Sequence, residues 1–127
     1  MEKIIHYCWF GPRPLGKLEK KCLKSWKKHF PNYKIMKWSE ENVDLEECEF
    51  IRDAYANKKW AYVADYARTK ALYEYGGIYF DTDMEVIKNM DELNNIKNTH
   101  KIGETMTLTI NRNGDEKEVT ITLEEMP

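Results

Sequence analysis

The chain has 127 residues, enough for one compact domain with a buried core. Hydrophobic residues make up 42% of the sequence and charged residues 33%, which excludes a disordered chain and is typical of a globular protein. The net charge of −2 gives no reason to expect nucleic-acid binding. The sequence contains no apolar run of about 18 residues, the length that a membrane-spanning helix needs.

Three cysteines, at positions 8, 22 and 48, form neither a zinc-binding pattern nor a disulfide framework. Together with the lack of a signal-peptide pattern, they favour a soluble cytoplasmic protein. Six lysines crowd residues 17–28, and they favour a solvated helix face over peripheral contact with an anionic membrane.

Predicted strands and helices alternate along the first part of the chain. Residues 3–10 (KIIHYCWF) are rich in β-branched and aromatic residues and predict a buried strand, which Pro12 and Pro14 end. Apolar residues recur at three- and four-residue steps over 15–30, which predicts a helix with its lysines outward. Further predicted elements are a strand at 33–38, a short helix capped by Ser39 and Asn42, helices at 45–56 and 60–75, and a strand at 78–86. This order indicates an α/β layer fold.

The pattern changes after Val86. Residues 91–99 predict a short helix, and residues 105–110 and 118–123 alternate polar with apolar residues around a turn at 111–114. Such alternation predicts an antiparallel β-hairpin with one face toward a core. We therefore expect a boundary between about residues 89 and 99, which gives one domain at 1–90 and another at 91–127.

Asp81 and Asp83 stand two residues apart in the predicted strand at 78–86, so both carboxylates should point to one face. Two carboxylates near an apolar strand are costly to bury unless a cation neutralises them. Hard oxygen ligands favour Mg²⁺ or Mn²⁺, and a diphosphate could complete the coordination shell. A DxD pattern alone is a weak indication, since it also occurs by chance at exposed strand ends.

Asp65 and Arg68 lie three residues apart in the helix predicted at 60–75, hence on one helical face. The guanidinium group suits a phosphate or a sugar hydroxyl, although a pair at this spacing is most often an ordinary surface salt bridge. The Gly76-Gly77 turn leads this helix directly into the DxD strand, so we expect one local unit.

Residues 61–86 (AYVADYARTKALYEYGGIYFDTDMEV) resemble the sugar-binding DxD region of family 32 glycosyltransferases. This group includes bacterial capsular polysaccharide transferases and yeast-type α-mannosyltransferases. The opening KIIHYCWFG, followed by Trp26, Pro31-Asn32-Tyr33 and Trp38, is also similar to the usual start of the family. The resemblance covers about residues 3–90, with the separate motifs in order and at the right intervals.

The resemblance implies a truncated GT-A fold, which is a Rossmann-like sheet that binds a nucleotide-diphosphate sugar and passes the sugar to a saccharide acceptor with retention, as in polysaccharide biosynthesis. It implies a Mn²⁺ or Mg²⁺ cofactor that neutralises the departing diphosphate. The roles it implies are Trp9 near the base, Asp65 on sugar hydroxyls, Arg68 on sugar or phosphate, Tyr79 beside the donor, Asp81 on ribose and metal, and Asp83 on metal.

Residues 91–127 resemble the last third of a PDZ domain, without the glycine-rich loop that binds a peptide carboxylate. We therefore expect a chimeric chain in which the hairpin covers sheet edges that a truncated transferase leaves open. Dimerisation or strand exchange is the alternative way to cover them.

Two rival functions stay open. One is a phosphatase of the haloacid-dehalogenase type, in which the first aspartate of a DxD is a nucleophile. The other is a non-catalytic interaction module that keeps a relic donor site. We interpret His6, His29 and His100 as structural or surface residues, because they have no ligand spacing.

Overall fold

The computed structural model describes residues 2–89 and 105–122. They fall into two compact units, one with residues 16–33 and those described after residue 81, the other with residues 2–15 and 34–81. The helix predicted at 91–99, and with it the boundary expected between about 89 and 99, lies outside the described residues. In chain order the elements are β1 (Ile4–Cys8), α1 (Lys17–His29), β2 (Lys34–Trp38), α2 (Glu49–Ala56), α3 (Trp60–Tyr75), β3 (Ile78–Tyr79), β4 (Glu85–Asn89), β5 (Thr105–Arg112) and β6 (Asp115–Thr122).

The mixed α/β architecture is confirmed, with one parallel and one antiparallel sheet. In one unit the parallel strands lie in the order β2-β1-β3, with Ile5 opposite both Ile35 and Ile78. In the other unit the antiparallel strands lie in the order β4-β5-β6. In the part of the chain that is described, no helix is long and apolar enough to cross a membrane.

A buried histidine ties the parallel sheet to the end of α3. His6 has no exposed surface; its Nδ1 accepts from the Trp38 indole N–H at 3.0 Å, and its Nε2 lies 2.7 Å from the Gly76 carbonyl oxygen. This arrangement fixes the neutral tautomer with the proton on Nε2. The structural role expected for His6 is confirmed.

The helix α3 spans the predicted residues and ends at Gly76. Its buried stripe consists of Val63, Ala67 and Ala71, which recur every four residues. At Gly77 the backbone has φ +93°, and an added Cβ would lie 2.5 Å from the Ile4 carbonyl oxygen. Glycine is therefore required where the chain passes from α3 into the sheet.

The segment between β2 and α2 differs from the prediction. Residues 39–48 form turns and bends rather than the short helix predicted after Ser39, and α2 begins at Glu49 rather than residue 45. The Asn42 side chain accepts the Ser39 N–H at 2.8 Å, and the Asp44 side chain accepts the Glu46 N–H at 3.0 Å. These short polar side chains bind the backbone locally and so stabilise turns instead of a helix.

The continuous strand predicted at 78–86 is wrong. β3 ends at Tyr79, Thr82 and Asp83 lie in a turn, and β4 begins at Glu85 in the antiparallel sheet. Aspartate is depleted in strands and its side chain hydrogen-bonds the backbone of turns, so the two aspartates favour a turn here. The expectation that Asp81 and Asp83 share one strand face is therefore also wrong.

Contacts with α1 hold the chain after this turn. The Trp26 indole N–H donates to the Met84 carbonyl oxygen at 2.7 Å, and the Val86 N–H donates to the Ser25 hydroxyl at 2.9 Å. Trp26 and Cys22 form the buried face of α1 as predicted, whereas Leu18, which the apolar pattern also includes, is 50% exposed. The entry into β4 is thus fixed by α1.

The predicted hairpin is confirmed, with longer strands and a tighter turn. Asn113 and Gly114 both have positive φ, at 55° and 85°, as a two-residue type I′ turn requires. Along β5 the side chains of Met106, Leu108 and Ile110 are buried, so the expected alternation is present. β5 also pairs with β4, so the hairpin covers an edge of that strand.

Candidate functional site

A salt bridge on α3 joins the two helix residues predicted for the site. The Arg68 Nη2 lies 3.3 Å from the Asp65 Oδ1, and the side chains are 42% and 57% exposed. Both lie off the buried stripe of α3, so the pair faces outward. The pairing expected from the three-residue spacing is present, and both groups stay accessible to a ligand.

Arg68 also lies against an aromatic ring from the parallel sheet. Its guanidinium carbon is 5.7 Å from the ring centroid of Tyr79, the last residue of β3. This distance is within the range of a cation–π contact. Burial raises the pKa of Tyr79 above its usual value, so its hydroxyl is neutral and remains a proton donor.

Cys8, at the carboxyl end of β1, completes this group. Its buried thiol hydrogen-bonds with Tyr79, and its Sγ lies 3.7 Å from the Ala64 carbonyl oxygen. Burial raises the pKa of Cys8 to about 11, the Tyr79 hydrogen bond and the Arg68 charge oppose the rise, and the charges of Asp81 and Asp65 add to it. The thiol is therefore neutral near pH 7 and is a poor nucleophile.

Asp81 follows Tyr79 by two residues in the same compact unit, and its charge acts on the Cys8 thiol together with those of Asp65 and Arg68. Asp81 is exposed and follows Phe80, whose backbone N–H donates to the His6 carbonyl oxygen at 3.0 Å. The sequence interpretation missed Cys8 as a neighbour of the site. Its position at the end of a strand parallel to β3 was the available signal, since parallel strands end at one edge of a sheet.

Asp83 belongs to the other compact unit, where its carboxylate meets the hairpin. Its Oδ1 accepts from two nitrogens of Arg112, Nη2 at 3.0 Å and Nε at 3.2 Å. The Arg112 and Asp83 side chains are 35% and 41% exposed. Nothing in the sequence pattern singled out Arg112, which lies 29 residues further along the chain.

Trp9 follows β1 and lies beside Arg13. The Trp9 indole N–H donates to the Arg13 carbonyl oxygen at 2.6 Å, and the Arg13 guanidinium carbon is 5.7 Å from the indole ring. The Trp9 backbone N–H donates to the Trp38 carbonyl oxygen at 2.9 Å. Trp9 is thus half-buried, its indole is held by these hydrogen bonds, and the Arg13 guanidinium lies against the ring.

The donor set fits a cation that arrives with phosphate oxygens. Among residues 2–89 and 105–122, no three His, Cys, Asp or Glu side chains are grouped so that they could hold a metal ion. Asp81 and Asp83 supply hard carboxylate oxygens, which suit Mg²⁺ or Mn²⁺, but two side chains leave most of the shell open. Mg²⁺ in particular is commonly held by one or two carboxylates plus substrate phosphates.

A separate cleft of about 190 Å³ borders α3. None of the residues predicted for the donor site lines it, so it gives no support to that site. The lining residues are Trp38, Asn42, Val43, Asp44, Ala67, Lys70, Ala71, Glu74 and Tyr75.

Comparison with known proteins gives two matches. Residues 16–101 match the family described as the glycosyltransferase sugar-binding region containing a DXD motif. Over 98 residues the chain is 36% identical to an uncharacterized glycosyltransferase of Acanthamoeba polyphaga mimivirus, a match that covers 70% of this chain and 38% of that relative. The chain thus spans about two fifths of the relative's length. The family match continues to residue 101, past about residue 90, where we expected the resemblance to end, and the PDZ-like resemblance stays a prediction.

Proposed function

Since the chain belongs to the glycosyltransferase family whose sugar-binding region contains a DXD motif, we propose that it is the donor-binding part of a transferase using a nucleotide-diphosphate sugar. The observation that carries the proposal is the group formed by Asp65, Arg68 and Tyr79 with the charge of Asp81 nearby. We further assign the chain to the family 32 type, with a truncated GT-A fold and retention of the anomeric configuration.

Asp65 and Arg68 have complementary tasks in this proposal. The Asp65 carboxylate accepts hydrogen bonds from sugar hydroxyls, and the Arg68 guanidinium donates to the sugar or its phosphate. Because Arg68 is held by Asp65 at 3.3 Å and by the Tyr79 ring, its fork is oriented before the donor arrives. A preorganised cation loses less side-chain entropy on binding than a free one.

The proposal also gives roles to Trp9, Asp81 and Asp83. Trp9 supplies an indole face for the nucleotide base, Asp81 binds the ribose and a divalent cation, and Asp83 binds the cation. A bound Mn²⁺ or Mg²⁺ neutralises the negative charge that grows on the departing diphosphate. The bond between C1 of the sugar and the phosphate oxygen breaks, the acceptor oxygen bonds to C1, and the acceptor proton passes to the released diphosphate.

For this chain we propose donor and metal binding, and for the whole protein transfer of a hexose to a saccharide acceptor. The chain spans 38% of the length of its viral relative, so acceptor contacts are assigned to the remainder. The second candidate is a non-catalytic module with a relic donor site, which the engagement of Asp83 by Arg112 favours.

A binding titration separates the two candidates. UDP-sugars and GDP-sugars are added to the chain with Mn²⁺ or with EDTA, and binding is followed by calorimetry. We expect Mn²⁺-dependent binding that Arg68→Ala and Asp83→Ala abolish. Lys70→Ala is the matched control, because Lys70 also lies on α3 in an exposed ion pair, with Glu47 at 2.6 Å, but lines the separate cleft.

The absence of binding at millimolar donor would contradict the proposal and support the relic-site candidate. An equal loss of donor binding in Arg68→Ala and Lys70→Ala would also contradict the proposal, because the loss would then come from a change in α3 as a whole. A phosphatase would instead hydrolyse a generic phosphate ester and lose that activity in Asp81→Asn.

A further inference from the structure

The ion pair between Asp83 and Arg112 joins a DxD aspartate to a residue beyond the family match. The match ends at residue 101, and Arg112 is the last residue of β5. Both contacting nitrogens, Nη2 and Nε, bind the same oxygen, Oδ1, at 3.0 and 3.2 Å. The contact therefore places a permanent positive charge directly on one carboxylate oxygen of Asp83.

The position of Arg112 is set by the backbone pairing of β5 near its end. Arg112 is opposite Asp115 across the tight turn, and its neighbour Asn111 is opposite Glu85 of β4. Asn111 also donates to the Glu85 carboxylate at 3.3 Å. Pairing of β5 on both sides fixes its register, so the approach of Arg112 to Asp83 follows from the sheet.

The surroundings of Asp83 in this unit are acidic. Burial raises the pKa of the nearby Cys22 to about 11, and the negative charges of Glu85, Asp83 and Glu19 raise it further. Lys21 lies 3.8 Å from Glu85 and offsets part of this charge. Arg112 is thus one of the cations that balance a carboxylate-rich region.

We propose that Arg112 is a positioning residue that acts as a counter-cation for Asp83 and sets how tightly the chain binds a divalent cation. A guanidinium group and a divalent ion both need the carboxylate oxygens, and their like charges repel. The ion must therefore displace Arg112 from Oδ1 or bind beside it at reduced affinity. This inference rests on the proposed function, which makes Asp83 a metal ligand.

The test measures Mn²⁺ affinity on the whole chain, from the electron paramagnetic resonance signal of free Mn²⁺. Removal of one partly exposed unit charge next to a divalent ion changes affinity by about three- to thirtyfold. We expect Arg112→Gln to tighten Mn²⁺ binding by that factor. Arg112→Lys keeps the charge but loses the guanidinium fork, so its Mn²⁺ affinity should stay closer to that of the unchanged chain than the affinity of Arg112→Gln does.

Two further variants separate this effect from general changes in charge. Arg52→Gln removes a cation from an exposed pair of similar geometry, with Glu46 at 3.0 Å in the other unit, and should leave Mn²⁺ affinity unchanged. In the Asp83→Ala variant, the additional Arg112→Gln substitution should not change the Mn²⁺ affinity. A merely structural role of Arg112 would not tighten metal binding in one variant and preserve it in the other.

The unchanged chain provides a measurement that needs no variant. Titration with Mg²⁺ should shift the Arg112 side-chain Nε–H resonance, seen by nitrogen-15 NMR, more than that of Arg52. An Arg112 resonance that stays in place at Mg²⁺ saturation overturns the inference, as does equal or weaker Mn²⁺ binding in Arg112→Gln.

Failure of the proposed function has a different result. In that case the nucleotide sugar does not bind, or binds equally to the unchanged chain and to Arg68→Ala. Failure of the present inference alone leaves Mn²⁺-dependent donor binding intact, with a metal affinity that does not respond to residue 112.

Discussion

Replacement of the buried His6 by phenylalanine should separate the hydrogen bonds of this residue from its volume. The change keeps a ring of similar size but removes both polar atoms. The indole N–H of Trp38 then loses an acceptor at 3.0 Å, and the Gly76 carbonyl oxygen loses its contact at 2.7 Å. Each buried polar group left without a partner costs about 1–3 kcal/mol, so we expect a loss of about 2–6 kcal/mol in unfolding free energy.

The pH dependence gives this prediction a second readout. Burial lowers the pKa of His6, so the folded state holds the neutral ring while the unfolded chain binds a proton below about pH 6.5. The stability that His6 contributes is therefore present above that pH and is lost as pH falls, by at most about 1.4 kcal/mol per pH unit. The difference between the unchanged chain and His6→Phe should shrink toward acid pH.

Urea unfolding followed by tryptophan fluorescence between pH 5 and 8 measures both effects. Tyr73→Phe is the control, because Tyr73 is 67% exposed and its replacement should change stability by less than about 0.5 kcal/mol. A destabilisation that is the same at pH 5 and pH 8 would refute the assignment of a neutral, buried His6.

Three other experiments test separate parts of the molecule. Gly77→Ala should destabilise the chain by about 1–3 kcal/mol, because its Cβ would lie 2.5 Å from the Ile4 carbonyl oxygen. Gly114→Ala should lower the stability by only about 1 kcal/mol, because no atom lies within 4 Å of the added Cβ and the positive φ is the sole obstacle. Thermal melting compares the two variants, and equal losses of stability would contradict this reasoning. At pH 8, Cys8 should react with iodoacetamide far more slowly than the half-buried Cys48, and the reaction rate of Cys8 should rise toward pH 11. Peptide mapping measures the modification at each cysteine. Rapid labelling of Cys8 at pH 8 would contradict its burial. Removal of Mn²⁺ with EDTA should weaken UDP-sugar or GDP-sugar binding at least tenfold in calorimetry, and unchanged affinity would remove the metal from the proposal.

The sequence predicted the elements whose signals are local. The helix α3 carries a long apolar pattern and ends at two glycines, so its bounds were predictable from Trp60 to Tyr75. The hairpin was predictable because alternation flanks the Asn113-Gly114 turn. The start of α2 was not, since the polar side chains before it favour both a helix start and a turn.

The error at residues 78–86 has a different cause. The apolar residues on either side of the DxD motif predict one continuous strand. A strand pattern does not show which sheet the strand joins, so the change from one sheet to the other was not predictable. β3 pairs with β1 at Ile78, whereas β4 pairs with β5 at Val86. That change of partner depends on residues 19 or more positions away along the chain, which no short-range pattern records.

The side chains of the DxD motif are therefore not oriented by the pleat of a strand. Residues 81 and 83 are separated by one residue, so their Cα atoms are at most about 7 Å apart in a turn as in a strand. In a strand, the pleat would orient both carboxylates. In the turn, the Asp83 carboxylate is oriented by Arg112, which lies outside the matched region. A motif found by its letters can therefore lie in a turn in which one of its carboxylates is oriented by a residue that the motif does not contain.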